Sequence, residues 1–398
     1  MSSHTINVLY VTDSPTVSGA EHVLLSYLTR FRPPDFRTHV LLRHSNTRLI
    51  EELRARNIRH TTTTSFSEPV VRSTLSPHDL FCFWKSFRSV KREIIELGAR
   101  NRTDILHSIS YPTAIYTALA ARSAGLPHIW HEHGVKRIHR LNRPIYRFTA
   151  AACRWVIGPS DAVTEALASA GISSAKIRTV YNGIDLTRFR PDTGRSDRVR
   201  ETLGLATGQP AIALIGQLLP HKGHQTLIEA APTIVRRFPS ARFFIVGSLE
   251  NPPYEAELRK SIARVGCERC FVFTGWRSDV HDFIGAMDVC VVPTLTAEPA
   301  ALSLMETMAM SRPLVATRAG GTPELVPDGE AGLLFTPGRA LELAACVLEL
   351  LTNPAMAARL SSAGRRRMEE RFSEERHIEE IADLYRSCLA QSPQCLTA

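Results

Sequence analysis

Short apolar runs punctuate the chain, each closed by a turn and followed by a stretch of helical period. In the first half, INVLYV (6–11), THVLL (38–42), ILHS (105–108), PHIW (127–130), WVIGPS (155–160) and IRTV (177–180) read as strands. In the second half, PAIALIG (210–216), RFFIVG (242–247), FVFT (271–274), VCVV (289–292) and LVAT (314–317) do the same. Most of these runs are apolar at nearly every position instead of alternating, as in strands covered on both faces. Helices are expected over 47–57, 78–98, 113–123, 255–266, 280–286, 300–310, 341–351, 354–371 and 375–389, with another capped by Ser160. Strand and helix in alternation predict an α/β chain with parallel sheets.

The stretch 289–324 organises the rest. A buried strand stops at Pro293, a polar turn follows, and Pro299 opens a helix that Pro313 ends. The strand at 314–317, a Gly320-Gly321 turn and Thr322-Pro323-Glu324 complete the unit. In such units the loops after parallel strands face the ligand crevice. Glu298 falls on a loop, and Glu306 lies about two turns into the helix. Two carboxylates so placed can bracket a hydroxyl-rich ligand, with the helix N-terminus between them suited to a diphosphate. Spacing alone equally allows a solvated Glu298 and a helix-surface Glu306.

Glu298-x7-Glu306 followed by GGTPE resembles the donor-binding signature of glycosyltransferase family 4. TGW (274–276), ELVPDGEAGLLF (324–335), IGQLLPHKG (215–223), VYNGID (180–185), GPSDAV (158–163) and SGAE (18–21) fit the same family in the same order. The resemblance implies the GT-B fold: two Rossmann-like domains facing across a cleft. Residues 1–187 would bind the acceptor, with the helix 374–398 packed back on them, and 188–373 would bind a nucleotide-sugar. It also implies a retaining hexosyltransferase serving polysaccharide or glycolipid synthesis. By the same resemblance a UDP- or GDP-sugar donor, a glycan or lipid-linked acceptor, and no cofactor and no metal ligand are expected.

By the same resemblance His133, Glu298 and Lys222 are catalytic. Gly19, Gly216, Gln217, Lys222, Gly247, Trp276, Arg277, Glu298, Ala301, Leu302 and Glu306 line the donor. His131 and Glu132 at the strand end, with Lys136 and Arg137 in the basic stretch that follows, are expected to face the acceptor; Glu132 equally fits a structural role. The chain departs from the family pattern at three of the quoted positions. Ser18 replaces a first glycine, Gln217 stands where an arginine is usual, and Ala301 stands where glycine is usual. The last two keep open an inactive binding subunit of this fold. An epimerase or phosphorylase of the same fold is a further alternative.

Charge and composition narrow the partners. Residues 1–190 carry 26 Lys and Arg against 14 Asp and Glu, while the remainder carries 22 against 25. A basic first half points to an anionic partner: a phospholipid surface, a lipid-linked phosphate or an acidic glycan. Phe81, Phe83, Trp84 and Phe87 among Lys85, Arg88, Lys91 and Arg92 fit either a membrane-lying helix or a packed one. The basic stretch 136–147 fits either an acidic acceptor or headgroup, or a solvated loop. No nucleic-acid-binding motif is present. The N-terminus lacks the basic and apolar regions of a signal sequence, and no apolar run is of membrane-spanning length. A cytoplasmic protein, peripheral on the inner face of a membrane, is therefore expected. The eight cysteines include one CxxC, Cys267 and Cys270, without a second pair, and read as free thiols.

Overall fold

The computed structural model describes residues 5–66, 77–134, 138, 140, 142–248 and 252–390, without the side chains of 77–84. Lys136, Arg137, most of the polar connection after residue 66, the side chains of Phe81, Phe83 and Trp84, and the tail beyond 390 lie outside the described residues. The chain forms two compact units: residues up to Tyr181 with the segment from His377, and Asn182–Arg376. These divisions differ from the expected ones at 187 and 374. The segment after Tyr181 is bonded into the second unit. Ile184 N donates to Phe372 O at 2.9 Å, and Arg365 Nη1 donates to Phe189 O at 2.6 Å.

The first unit is built on β1 (Ile6–Thr12), β2 (Phe36–Arg43), β3 (His60–Thr63), β4 (Ile105–Ser108), β5 (His128–His131), β6 (Trp155–Gly158) and β7 (Ile177–Thr179). Their order is β3-β2-β1-β4-β5-β6-β7, all parallel. The central β1 is buried along almost its whole length. Its apolar side chains meet helices on both faces, hence the uninterrupted run. The terminal helix Glu374–Ala390 belongs mostly to this unit. Its Tyr385 is fully buried, and its hydroxyl lies 2.8 Å from Tyr10 Oη and 2.6 Å from His107 Nδ1.

The second unit is built on β8 (Ala211–Ile215), β9 (Arg242–Val246), β10 (Phe271–Gly275), β11 (Val289–Val292), β12 (Leu314–Thr317) and β13 (Leu333–Phe335). Their order is β10-β9-β8-β11-β12-β13, again all parallel. Both sheets reverse direction of winding beside their first strand, β1 against β4 and β8 against β11. A crevice opens beyond the carboxyl ends of the strands at such a reversal.

Several elements correct the sequence reading. The helix expected from Ala300 starts at Leu302, because Ala301 is extended at φ −65°, ψ 122° and nothing in Pro299-Ala300-Ala301 offers a capping side chain. The structure adds the helix His224–Arg237, in which Pro232 reads locally as a breaker. It also adds β13, only three residues long. The basic stretch becomes a helix at Arg143–Ala151. Ser160 stands at the start of Asp161–Ser169, but its hydroxyl has no hydrogen-bond partner among the described residues. No single described helix is long and apolar enough to cross a membrane.

The Tyr385 hydroxyl joins two buried polar groups, so removing it strands them. Tyr385→Phe is expected to cost about 1–3 kcal/mol, read from the urea midpoint at unchanged slope. A variant as stable as the parent would show the bonds to be dispensable.

Candidate active site

The reversal in the second sheet places two loops side by side, 217–223 after β8 and 293–301 after β11. They are bonded directly. Leu295 N donates to His221 O at 2.8 Å, and Lys222 Nζ forms an ion pair with Glu298 Oε1. Gly223 makes the approach feasible: at φ 76° a Cβ there would stand 1.8 Å from Pro293 O. The next loop, after β12, closes on the other side. Gly321 N donates to Glu298 O at 2.8 Å, and a Cβ at Gly320 (φ 57°) would stand 2.2 Å from that same oxygen. Glu298 is thus held through its backbone by one neighbour loop and through its carboxylate by the other.

Gly216, Gln217 and Gly247 occupy the same ends of the strands. A Cβ at Gly247 would stand 1.8 Å from Gly216 O, so the ends of β8 and β9 approach as bare backbone. Gln217 O accepts from Leu219 N at 2.8 Å inside the tight loop. Ala301 adopts a conformation open to any L-residue, so its departure from glycine carries no backbone strain. Leu302 is the first residue of the helix that carries Glu306. Burial pushes the Glu306 carboxyl up to about 7, against the pull of the Arg188 guanidinium. Sequence reading missed Arg188; it lies in the linking segment and donates to Ser278 O at 3.4 Å. Trp276 is 57% exposed, while Arg277 is fixed by Asp279 at 2.8 Å through Nε and packs over the Phe283 ring. A cleft of about 270 Å³ beside Arg195, Val199 and Asp282 shares only Arg277 with the predicted donor residues.

In the first unit the histidines that follow β5 lead into a buried aromatic stack. His131 is fully enclosed. Its ring lies 4.0 Å from that of His133 and 5.7 Å from that of His107, and its Nδ1 is 3.2 Å from Tyr27 Oη. His377, from the terminal helix, stacks on Tyr27 at 5.3 Å. His131 therefore supports His133 from beneath instead of presenting a surface to the acceptor. Glu132 is buried, and its Oε1 accepts from Gly134 N at 3.1 Å. Gly19 is exposed as the first residue of the helix Gly19–Arg30, whose buried Glu21 accepts from Ser18 N at 2.9 Å. Burial pushes His133 down to about 3, with the nearby His377 adding to the effect. The same cause holds His377 down to about 4 and His107 and His131 well below their ordinary value. All four rings are neutral near pH 7. Among the described residues no group of three or more His, Cys, Asp or Glu is placed to hold a metal ion.

Comparison with known proteins places these features in a family. A model described as Glycosyltransferase Family 4 matches residues 17–188, and one described as Glycosyl transferases group 1 matches residues 209–353. The chain is 29% identical over 385 residues to a GDP-mannose-dependent alpha-(1-6)-phosphatidylinositol monomannoside mannosyltransferase of Mycolicibacterium smegmatis, covering 90% of this chain and 92% of that one. It is 27% identical over 332 residues to an alpha-maltose-1-phosphate synthase of Mycobacterium tuberculosis, covering 76% and 84%. Among solved structures, HepE of Anabaena in complex with UDP superposes with a TM-score of 0.81 at 24% identity, covering 96% of this chain and 100% of that chain. A glycosyltransferase of Rickettsia africae gives 0.85 at 20% identity, covering 98% and 100%. The fold is that of the GT-B glycosyltransferases.

Lys222→Met leaves the largely buried Glu298 carboxylate without its cation. A loss of about 1–3 kcal/mol is expected in urea unfolding, and adding Glu298→Gln should restore part of it. If the double variant were no better than the single one, the pair would not be what stabilises the loops. The neutral histidines set an acid limit. Unfolding returns each imidazole to its ordinary value near 6.5, so the unfolded chain binds the protons that the folded core excludes. Their contribution is complete above about pH 6.5 and is lost toward pH 3–4, at up to roughly 1.4 kcal/mol per pH unit for each ring. Intrinsic fluorescence should report a melting temperature that falls steeply below pH 6. A flat profile to pH 4.5 would contradict the neutral stack.

Proposed function

Because this chain belongs to glycosyltransferase family 4, we propose that it moves a sugar from a UDP- or GDP-sugar to a hydroxyl of a glycan or lipid-linked acceptor, with retention at the anomeric carbon. The observation that carries this reading is the Lys222–Glu298 pair at the reversal of the second sheet, where a nucleotide ligand is expected in such a fold. The Mycolicibacterium relative is described as using GDP-mannose on a phosphatidylinositol mannoside, and the HepE structure holds UDP. Both descriptions support a nucleoside-diphosphate sugar as the donor class, and the first supports a lipid-linked acceptor. A step in polysaccharide or glycolipid synthesis fits both.

We assign the roles as follows. Lys222 neutralises charge that grows on the departing diphosphate, the kind of contact that is worth most in the transition state. Gln217 supplies a neutral donor beside it, so this chain places less positive charge on the leaving group than an arginine would. Glu298 accepts from sugar hydroxyls and Glu306 from the ribose. In the first unit, neutral His133 offers a hydrogen-bonding ring to substrate hydroxyls without adding a charge. The bond from the anomeric carbon to the phosphate oxygen breaks as the bond to the acceptor oxygen forms on the same face. The leaving phosphate takes the acceptor proton. No protein nucleophile and no cofactor beyond the donor are assigned.

Thermal shift against UDP, GDP, ADP and dTDP tests the donor site. Nucleotide at 100 times its dissociation constant adds about 2.7 kcal/mol, several degrees for a unit of roughly 200 residues. One nucleotide should shift the parent and not Glu306→Gln. Its affinity should rise as pH increases through about 7, because the ionised Glu306 carboxylate is the stronger acceptor. Glu306→Gln should show no such rise. Equal shifts in parent and variant would remove Glu306 from the site. An inverted anomeric centre in the product, read by NMR, would overturn retention.

A further inference from the structure

The helix Arg143–Ala151 has a surface that the transfer reaction does not use. Its inner side is anchored: Tyr146, Thr149 and Ala150 are buried, and the Tyr146 ring stacks on Tyr111 at 4.0 Å. Its outer side carries Ile145, 46% exposed, and Phe148, 47% exposed, three residues apart and so on one face. Arg143 and Arg147 are exposed beside them, Arg140 is exposed just upstream, and the Arg122 guanidinium lies 5.8 Å from the Phe148 ring centre. Two large apolar side chains, each about half exposed, thus stand among arginines.

The local charge selects what would cover them. Between residues 105 and 160 the sequence holds seven Lys and Arg and a single acid, Glu132, which is buried. Exposed apolar groups set among cations on one helix match the boundary of an anionic bilayer. There the rings enter the acyl edge while the guanidinium groups meet headgroup phosphates. A second copy of this chain would bring the same positive patch against itself. We infer that the Ile145–Phe148 face of this helix docks the protein on an anionic lipid surface. This stands apart from the transfer reaction, since docking is read without donor and its failure would leave the transfer reading intact.

Co-sedimentation of the full chain with vesicles tests it. The parent should bind phosphatidylcholine vesicles containing phosphatidylglycerol, release in high salt, and ignore pure phosphatidylcholine. R143A/R147A should weaken partition by roughly 30-fold, and I145S/F148S by about tenfold. Ile145 and Phe148 are only half exposed, so every variant is compared with the parent at a temperature where circular dichroism shows both folded. The inference is overturned by equal binding to the uncharged vesicles, by absence of binding, or by variants that bind like the parent. It is also overturned if the lipid-free chain is a dimer that I145S/F148S splits, which would assign the patch to a second copy.

Discussion

The ion pair between Lys222 and Glu298 joins the two strands at which the second sheet reverses its winding. Everything described at this end of the sheet depends on holding these loops together. A backbone hydrogen bond joins residues 221 and 295, and Gly223 lets its loop lie against the carbonyl of Pro293. The Gly320-Gly321 turn grips Glu298 from the third strand in line. The result is a carboxylate and an ammonium held against each other by the surrounding loops.

The first unit solves a different problem with the same fold. Its strand ends carry histidines in place of a charge pair, and they lie over a core of tyrosines and further histidines. The Tyr385 hydroxyl bonds both Tyr10 and His107, Tyr27 bonds His131, and the terminal helix supplies Tyr385 and His377. Neutral rings suit that place: charged ones would be desolvated and would repel one another. The arrangement keeps His133 uncharged and supported, at the cost of stability in acid.

The departures from the family pattern differ in consequence. Ala301 is harmless to the backbone because its φ and ψ are ordinary. Gln217 is different in kind, because it removes a charge. Arg188 is the nearby cation that local reading passed over; its guanidinium is already felt by Glu306.

The sequence alone determined the α/β class, most of the strands and the family. Buried parallel strands leave uninterrupted apolar runs, and the words around Glu298 and Glu306 are local. It did not determine which groups meet. Lys222 and Glu298 are 76 positions apart, and Tyr10 and Tyr385 are 375 apart. Nothing in the period of either segment encodes the other. The helix His224–Arg237 was hidden by an internal proline that its packing tolerates. His131 looked like a surface group because polarity is visible in sequence, whereas burial is not. Only the order of strands in each sheet, fixed by long-range pairing, decided which loop ends became neighbours and which histidine went inside.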